Sequence, residues 1–209
     1  MLGLTHDIDS YLERFACEAD RVDRQRVRRL ADHVYDAWKD GRFVFVFGNG
    51  GSGATASHFA EDLGKNALAT ADLHDDAKRR PRIMSLSDNT SWITALANDL
   101  AFDQVFVQQL MQYGKPGDLV IAISGSGNSP NVLGAVEWAN RRGLMTFGLT
   151  GFDGGRLLEI QQDGIHIALS DMGMVESMHL AVLHWVVEEI HARVNQVGRY
   201  AQSAEGIRK

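Results

Sequence analysis

The chain has 209 residues and a formal net charge of −6, and 44% of its residues are hydrophobic. This length and composition are typical of one globular domain with a full core, and the acidic balance argues against nucleic acid as the main partner. A single cysteine, Cys17, excludes an internal disulfide and a zinc site of several cysteines, and it suits a reducing cytoplasm. We therefore expect a cytoplasmic protein without a signal peptide or a membrane-spanning segment.

The N-terminal residues predict helix. Apolar side chains recur at three- and four-residue spacing over about residues 5–39, which predicts one long amphipathic segment. Because this pattern precedes the first predicted strand, we expect residues 1–40 to pack on the domain or against a partner subunit. The main domain is then expected over 41–197, followed by a polar C-terminal tail over 198–209.

Two short apolar runs, 43–47 and 119–123, predict strands, and each leads into a loop rich in glycine and serine. The loops read Gly48-Asn49-Gly50-Gly51-Ser52-Gly53 and Ser124-Gly125-Ser126-Gly127-Asn128-Ser129-Pro130. Helical patterns follow both loops, and Ser129 is the predicted N-cap of the second helix. A strand, a tight loop and a helix N-terminus together favour an anion, because free backbone N–H groups and the helix dipole face it. The two loops therefore predict a phosphorylated small molecule held at both ends.

Three further apolar runs predict strands at 83–86, 145–149 and 165–169. The helices that follow from the pattern cover 52–67, 91–98, 102–113, 129–143 and 172–194. Strands that alternate with helices indicate parallel βαβ units, so the expected fold class is a three-layer α/β/α domain with a mostly parallel five-stranded sheet. Ligands bind such sheets beyond the carboxyl ends of the strands, which is where Ser52, Asp88, Ser124 and Thr150 fall.

Other interpretations of the loops stay open. Gly48, Gly50 and Gly53 match the G-x-G-x-x-G pattern of dinucleotide-binding folds. That pattern requires an acidic residue about twenty positions further on, and Asp88 is too distant in sequence. Glycine- and serine-rich loops also occur as plain connections between elements.

Histidine and acidic residues on two predicted helices are candidate metal ligands. His58 and Asp62 are four residues apart, one helical turn, and such a pair either shares a metal ion or forms an ordinary surface pair. The last helix is apolar almost all round, which predicts burial by the sheet and by other subunits. It carries Glu176, His179 and His184, and a buried histidine is either a satisfied core residue or a functional group. Glu176 and His184 lie about 12 Å apart along an ideal helix, so a shared ion would need an irregular first turn or two subunits.

These motifs resemble, in order and spacing, the SIS (sugar isomerase) domain of phosphoheptose isomerases. The resemblance covers nearly the whole chain and rests on residues 48–52 with His58, 98–99, 124–132, 148–155 and 176–179. It implies a homotetramer with active sites between subunits and, in most members, zinc. It also implies conversion of sedoheptulose 7-phosphate into an aldose heptose phosphate.

The resemblance also implies roles for individual residues. The expected phosphate ligands are Ser124, Ser126 and Ser129, and the expected sugar contacts are Asn49, Ser52 and Asp88. The wider substrate-binding set adds Gly50, Gly51, Asn89, Gly125 and Glu176. The metal ligands implied by the match are His58, Asp62, Glu176 and His184, with Asp62 also acting as the base and His184 as the acid.

Four positions depart from the family pattern. Asp62 stands where the family has a glutamate, Glu176 where it has a glutamine, and Asn66 where it tends to have an arginine from a neighbouring subunit. Gly173 likewise falls at a substrate-binding aspartate, and Lys65 is a candidate substitute for the arginine. The phosphate end of the predicted site matches the family more closely than the reacting end.

The chemistry of ketose–aldose isomerisation suits these side chains. A proton moves between adjacent carbons through an enediol, which requires a base, an acid at the carbonyl oxygen and stabilisation of the oxyanion. The first hypothesis is therefore a metal-dependent phosphosugar isomerase that binds neither nucleic acid nor a membrane. The alternative is a non-catalytic SIS protein that senses a phosphosugar or binds a protein such as the replication initiator DnaA.

Overall fold

The computed structural model describes residues 6–201, in which five strands form one parallel sheet in the order β2-β1-β3-β4-β5. The strands are β1 (Phe43–Gly48), β2 (Arg82–Ser85), β3 (Leu119–Ser124), β4 (Met145–Thr150) and β5 (Asp163–His166). The helices are α1 (Ile8–Asp20), α2 (Arg24–Asp40), α3 (Gly50–Asn66), α4 (Thr90–Asp99), α5 (Val107–Tyr113), α6 (Pro130–Arg141), α7 (Gly155–Ile160) and α8 (Met172–Asn195). The predicted fold class, an α/β/α domain with a five-stranded sheet, is confirmed.

The sheet is buried on both faces because its strands are continuous apolar runs. Successive side chains of a strand point to opposite faces, so Val44 and Val46 lie in one core and Phe45 and Phe47 in the other. The first core contains apolar residues of α2, α3 and α8, and the second contains those of α5, α6 and α7. This layering leaves the ends of the parallel strands as the places where loops meet.

The N-terminal segment forms two helices, so the prediction of one long helix was wrong. α1 ends at Asp20 and α2 begins at Arg24, because Asp23 is an N-cap whose carboxylate accepts hydrogen bonds from the backbone N–H groups of Gln25 and Arg26 at 2.9 and 3.1 Å. Residue 5, where the predicted helix started, lies outside the described residues. α2 places Leu30 and Val34 in the core beside α8.

Two other predicted elements need correction, and one helix was not predicted. The helix expected over 102–113 is a 3-10 turn, Phe102–Gln104, followed by α5. The last strand is Asp163–His166 rather than 165–169, and the sequence pattern missed the six-residue helix α7. These are short elements at which a periodic pattern carries little information.

The expected polar tail begins with an ordered turn. Gly198–Tyr200 forms a 3-10 helix, and the Arg199 and Tyr200 side chains contact the buried carboxylate of Glu189 on α8. Residues 202–209 of the predicted tail lie outside the described residues. Over residues 6–201, no helix is both long and apolar enough to cross a membrane.

Candidate active site

The two glycine- and serine-rich loops lie side by side at one edge of the sheet. They follow β1 and β3, which are neighbouring strands in parallel register, with Gly48 paired with Ile123. Ser52 and Ser124 are both buried at this edge, with 5% and 4% of their surfaces exposed. The topology therefore places the two predicted anion-binding loops next to each other, at the end of the sheet where ligands of parallel α/β folds bind.

The serine loop is held by short-range packing against the segment that follows β4. Ser124 Oγ lies 3.2 Å from Ser129 Oγ, which brings two of the predicted phosphate ligands together. Gly127 has a positive φ of 65°, and a Cβ atom there would collide with the carbonyl of Gly154. Backbone hydrogen bonds from Gly151 to Gly125 (2.9 Å) and from Leu157 to Gly127 (2.8 Å) fix the same contact. These contacts hold the backbone of the serine loop in place and leave its hydroxyl groups to contact an anion.

An asparagine pair joins the serine loop's helix to the glycine loop. Asn49 Nδ2 donates to Asn131 Oδ1 at 2.9 Å, and Asn131 Nδ2 donates to Asn49 Oδ1 at 2.8 Å. Asn131 lies in the first turn of α6 and is 1% exposed. The predicted sugar contact Asn49 therefore has its amide engaged by the protein.

Three candidate metal ligands converge between α3 and α8. His58 Nε2 lies 3.2 Å from Asp62 Oδ2, His184 Nε2 lies 3.6 Å from the same oxygen, and the two Nε2 atoms are 3.4 Å apart. A tetrahedral zinc site with bonds of about 2.0–2.2 Å has neighbouring ligand atoms about 3.3–3.6 Å apart. The donor types and the observed spacings both fit such an ion, so these residues form a possible metal-binding triad.

Glu176, the fourth predicted ligand, lies elsewhere in the single chain. It is outside the group formed by the triad, and its carboxylate lies against the backbone of Gly51 in the first turn of α3. A Cβ atom at position 51 would overlap with that carboxylate. A carboxylate at a helix N-terminus is favourable because the helix dipole is positive there. Glu176 and His184 lie about 12 Å apart along an ideal helix, which agrees with Glu176 lying away from the triad.

The remaining predicted sugar contacts border open clefts. Asp88 follows β2 and accepts a hydrogen bond from Ser57, which precedes His58 on α3. Asn89 is the N-cap of α4 and accepts from the backbone N–H of Trp92 at 3.0 Å. Both residues line a cleft of about 810 Å³ between α3, β2 and α4, and a neighbouring cleft of about 280 Å³ is lined by Asn49 and Gly50. The site has room for a polar ligand beside the glycine loop.

Sequence analysis did not predict the supporting contacts of three residues at the site, which are Ser57, Asn66 and Asn131. Asn66 Nδ2 donates to Asp62 Oδ1 at 3.0 Å, which leaves Oδ2 toward the two histidines. The four-residue spacing from Asp62 to Asn66 is a helical contact that the sequence contains. The contacts of Ser57 and Asn131 join residues 31 and 82 positions apart, for which the sequence offers no local signal.

His179 is a core residue rather than part of the triad. It is fully buried, and its Nε2 lies 3.2 Å from the carbonyl oxygen of Thr150, to which it donates. Among the described residues, His179 Nδ1 has no hydrogen-bond partner. Burial lowers the pKa of His179 to about 4, so the ring is neutral at physiological pH. His166 Nδ1 lies 3.0 Å from Thr150 Oγ1, and burial lowers the pKa of His166 as well.

Comparison with known proteins identifies the family of this chain. The SIS domain family model matches residues 6–151, and the chain belongs to that family. A relative named probable phosphoheptose isomerase, from Thermoplasma acidophilum, is 35% identical over 181 residues, which are 86% of this chain and 95% of the relative. The phosphoheptose isomerase of Rhodospirillum rubrum is 40% identical over 160 residues, or 76% of this chain and 80% of that protein.

A solved structure gives the same result at the level of the fold. The phosphoheptose isomerase from Neisseria gonorrhoeae superposes with a TM-score of 0.77 at 26% identity, and the match covers 90% of this chain and 95% of that one. The family resemblance inferred from the motifs is confirmed. The named relatives support an isomerase as the class of this protein.

Proposed function

We propose that this protein is a phosphoheptose isomerase that converts sedoheptulose 7-phosphate into an aldose heptose phosphate. The observation that carries the proposal is the convergence of His58, Asp62 and His184 on one point. His58 and Asp62 lie on α3, which starts at the glycine loop, and His184 lies on α8, which packs against α3. Relatives named phosphoheptose isomerase match most of the chain.

The serine loop is assigned to the phosphate group. Ser124, Ser126 and Ser129 offer hydroxyl donors next to the N-terminus of α6, and the braced backbone of Gly125 and Gly127 holds their positions. A phosphate fixed there orients the reacting carbons and reduces the entropy lost in the chemical step. Ser52, Asp88 and Asn89 are assigned to the sugar hydroxyl groups.

The reacting end is assigned to Asp62 and His184. The Asp62 carboxylate removes the proton from the carbon beside the carbonyl and returns it to the neighbouring carbon. His184 delivers a proton to the carbonyl oxygen and takes one back from the neighbouring hydroxyl group as the aldose carbonyl forms. When its Nε2 holds a metal ion, Nδ1 is the ring nitrogen that carries this proton. His58, Asp62 and His184 would hold a zinc ion, which when bound stabilises negative charge on the substrate oxygen. Glu176 remains a proposed fourth ligand. In this proposal the Glu176 carboxylate reaches the ion from a neighbouring subunit.

Assembly into a cytoplasmic homotetramer is part of the proposal. Ile8 and Leu12 of α1 are 67% and 56% exposed. An apolar cleft of about 330 Å³ lies between α1, α2 and α8 and is lined by Phe15, Val182 and Trp185, among others. Apolar surface of this kind favours burial by another copy of the chain. Sedimentation velocity measures the assembly state directly.

Proton exchange in deuterated water tests the proposed reaction. Zinc-loaded protein is mixed with sedoheptulose 7-phosphate, and NMR follows deuterium at the carbons beside the carbonyl together with any new heptose phosphate. Exchange with product formation is expected, and the isosteric Asp62→Asn variant should lower its rate at least about a hundredfold, since it lacks the base. Binding of the sugar phosphate without any exchange would overturn the isomerase and favour the non-catalytic alternative.

A further inference from the structure

Both loop-forming N-cap residues direct their side chains away from their own helices. Asn49 is the N-cap of α3 and Ser129 the N-cap of α6, and over residues 6–201 neither side chain makes a cap hydrogen bond. An asparagine or serine at an N-cap ordinarily accepts from the second or third N–H of its helix. The side chain of Asn49 is therefore available for other contacts, and in α6 the Val132 N–H bonds to Asn131 Oδ1 and the Ser129 carbonyl instead.

The side chain of Asn49 instead bonds to the first turn of α6, the helix that follows the serine loop. It makes two reciprocal hydrogen bonds to Asn131, whose Oδ1 also accepts from the N–H of Val132 at 3.0 Å. Asn131 is almost completely buried, so its orientation is fixed by packing as well as by these bonds. A two-bond amide pair sets both the distance and the angle between the groups it joins.

We propose that Asn49 and Asn131 are positioning residues that fix the spacing between the glycine loop and the serine loop. The inference rests on the proposed function, in which one substrate spans both loops. Asn49 then acts through Asn131 and not through a direct contact with the sugar, which revises the role that the family resemblance implies for it. A bound phosphosugar needs this spacing because its phosphate and its reacting carbons are held by different helices.

A double-mutant cycle on turnover tests this assignment. Asn49→Ala and Asn131→Ala should each lower kcat/KM for sedoheptulose 7-phosphate about tenfold, the size of one or two neutral hydrogen bonds. The double variant should lose little more than either single variant, because each substitution alone already breaks the pair. Independent losses that multiply would overturn the proposal, since Asn49 would then contact the substrate itself.

Two further measurements separate positioning from general stability and from the proposed activity. Asn140→Ala removes an amide at the far end of α6, where Asn140 Nδ2 donates to Ile160 O at 2.7 Å, and it should lower stability but leave kcat/KM unchanged. Hydrogen exchange of residues 49–53 should accelerate in Asn131→Ala, although the substitution is on another helix. Unchanged exchange would overturn the coupling of the loops. The hydrogen-exchange measurement tests the coupling of the loops without any turnover. If the unmodified protein did not convert the sugar phosphate, only the proposed function would be refuted.

Discussion

The Nε2 atoms of His58 and His184 lie 3.4 Å apart although 126 residues separate the two histidines in the chain. Their rings meet edge to face, with centroids 4.9 Å apart, because α3 packs directly on α8. On its own helix each histidine is an ordinary half-exposed side chain. The donor set exists only in the folded chain, so metal binding and folding stability should be coupled.

Removal of the His184 imidazole should abolish most turnover while the fold remains. The His184 side chain is 46% exposed, so its truncation in His184→Ala creates no core cavity. We expect the exchange rate to fall about 10²- to 10⁴-fold, the usual range for loss of an acid–base group, and zinc affinity to fall with it. NMR exchange and zinc titration measure the two effects. His74→Ala removes an exposed histidine from a loop and is the control; full activity in His184→Ala would contradict the assigned role.

Asn66 should contribute to metal affinity through Asp62. Its Nδ2 donates to Asp62 Oδ1 at 3.0 Å and thereby orients the other carboxylate oxygen toward the histidines. Loss of such a supporting hydrogen bond usually weakens metal binding about 10- to 100-fold, and we expect that range for Asn66→Ala. Lys65→Ala is the matched control, because Lys65 is the preceding residue and pairs with exposed Glu61 at 3.1 Å. Equal zinc affinities in the two variants would exclude a role for Asn66 at the site.

The sequence predicts the parts of this molecule that depend on local pattern. Continuous apolar runs located all five strands, and the loop motifs placed Ser52 and Ser124 at the correct end of the sheet. The break between α1 and α2 was missed, although Asp23 is a residue type that favours N-caps. The Asn49–Asn131 pair and the Gly51–Glu176 contact were beyond prediction, because each depends on how two distant elements pack.

Alanine at position 51 should displace the Glu176 carboxylate. In Gly51→Ala the new methyl group would overlap with that carboxylate, which can swing away because it ends a flexible side chain, and loss of its contact with the helix N-terminus costs about 0.3–1 kcal/mol of unfolding free energy. Urea unfolding of the single and double variants tests the contact. Adding Glu176→Ala to Gly51→Ala should lower stability little further, since the contact is already lost.

The control for this substitution is another helical glycine. A Cβ atom at Gly134 in α6 would have nothing within 4 Å, so Gly134→Ala should stabilise the protein by about 0.5–1 kcal/mol through helix propensity alone. If Gly51→Ala behaved like Gly134→Ala, Glu176 would not rest against the first turn of α3.

His179 should make the fold sensitive to acid. Burial lowers its pKa to about 4 in the folded protein, whereas an unfolded histidine titrates near its ordinary value of about 6.5. Between these two values the unfolded chain binds a proton that the folded chain does not, so stability falls as pH decreases from about 6.5 to 4 and this contribution levels off below 4. The full contribution is about 3 kcal/mol. The charge on neighbouring His166 acts in the same direction, since it also disfavours a proton on His179.

Urea unfolding from pH 7 to pH 4 isolates this contribution in the variant His179→Gln, whose amide keeps a donor for Thr150 but does not titrate. The variant should be less stable than the unmodified protein at pH 7, because glutamine packs less well in the buried site, and the difference should shrink by about 3 kcal/mol as the pH reaches 4. Parallel curves for His179→Gln and the unmodified protein would show that His179 does not titrate differently on folding. The acid sensitivity between pH 6.5 and 4 would then come from groups other than His179.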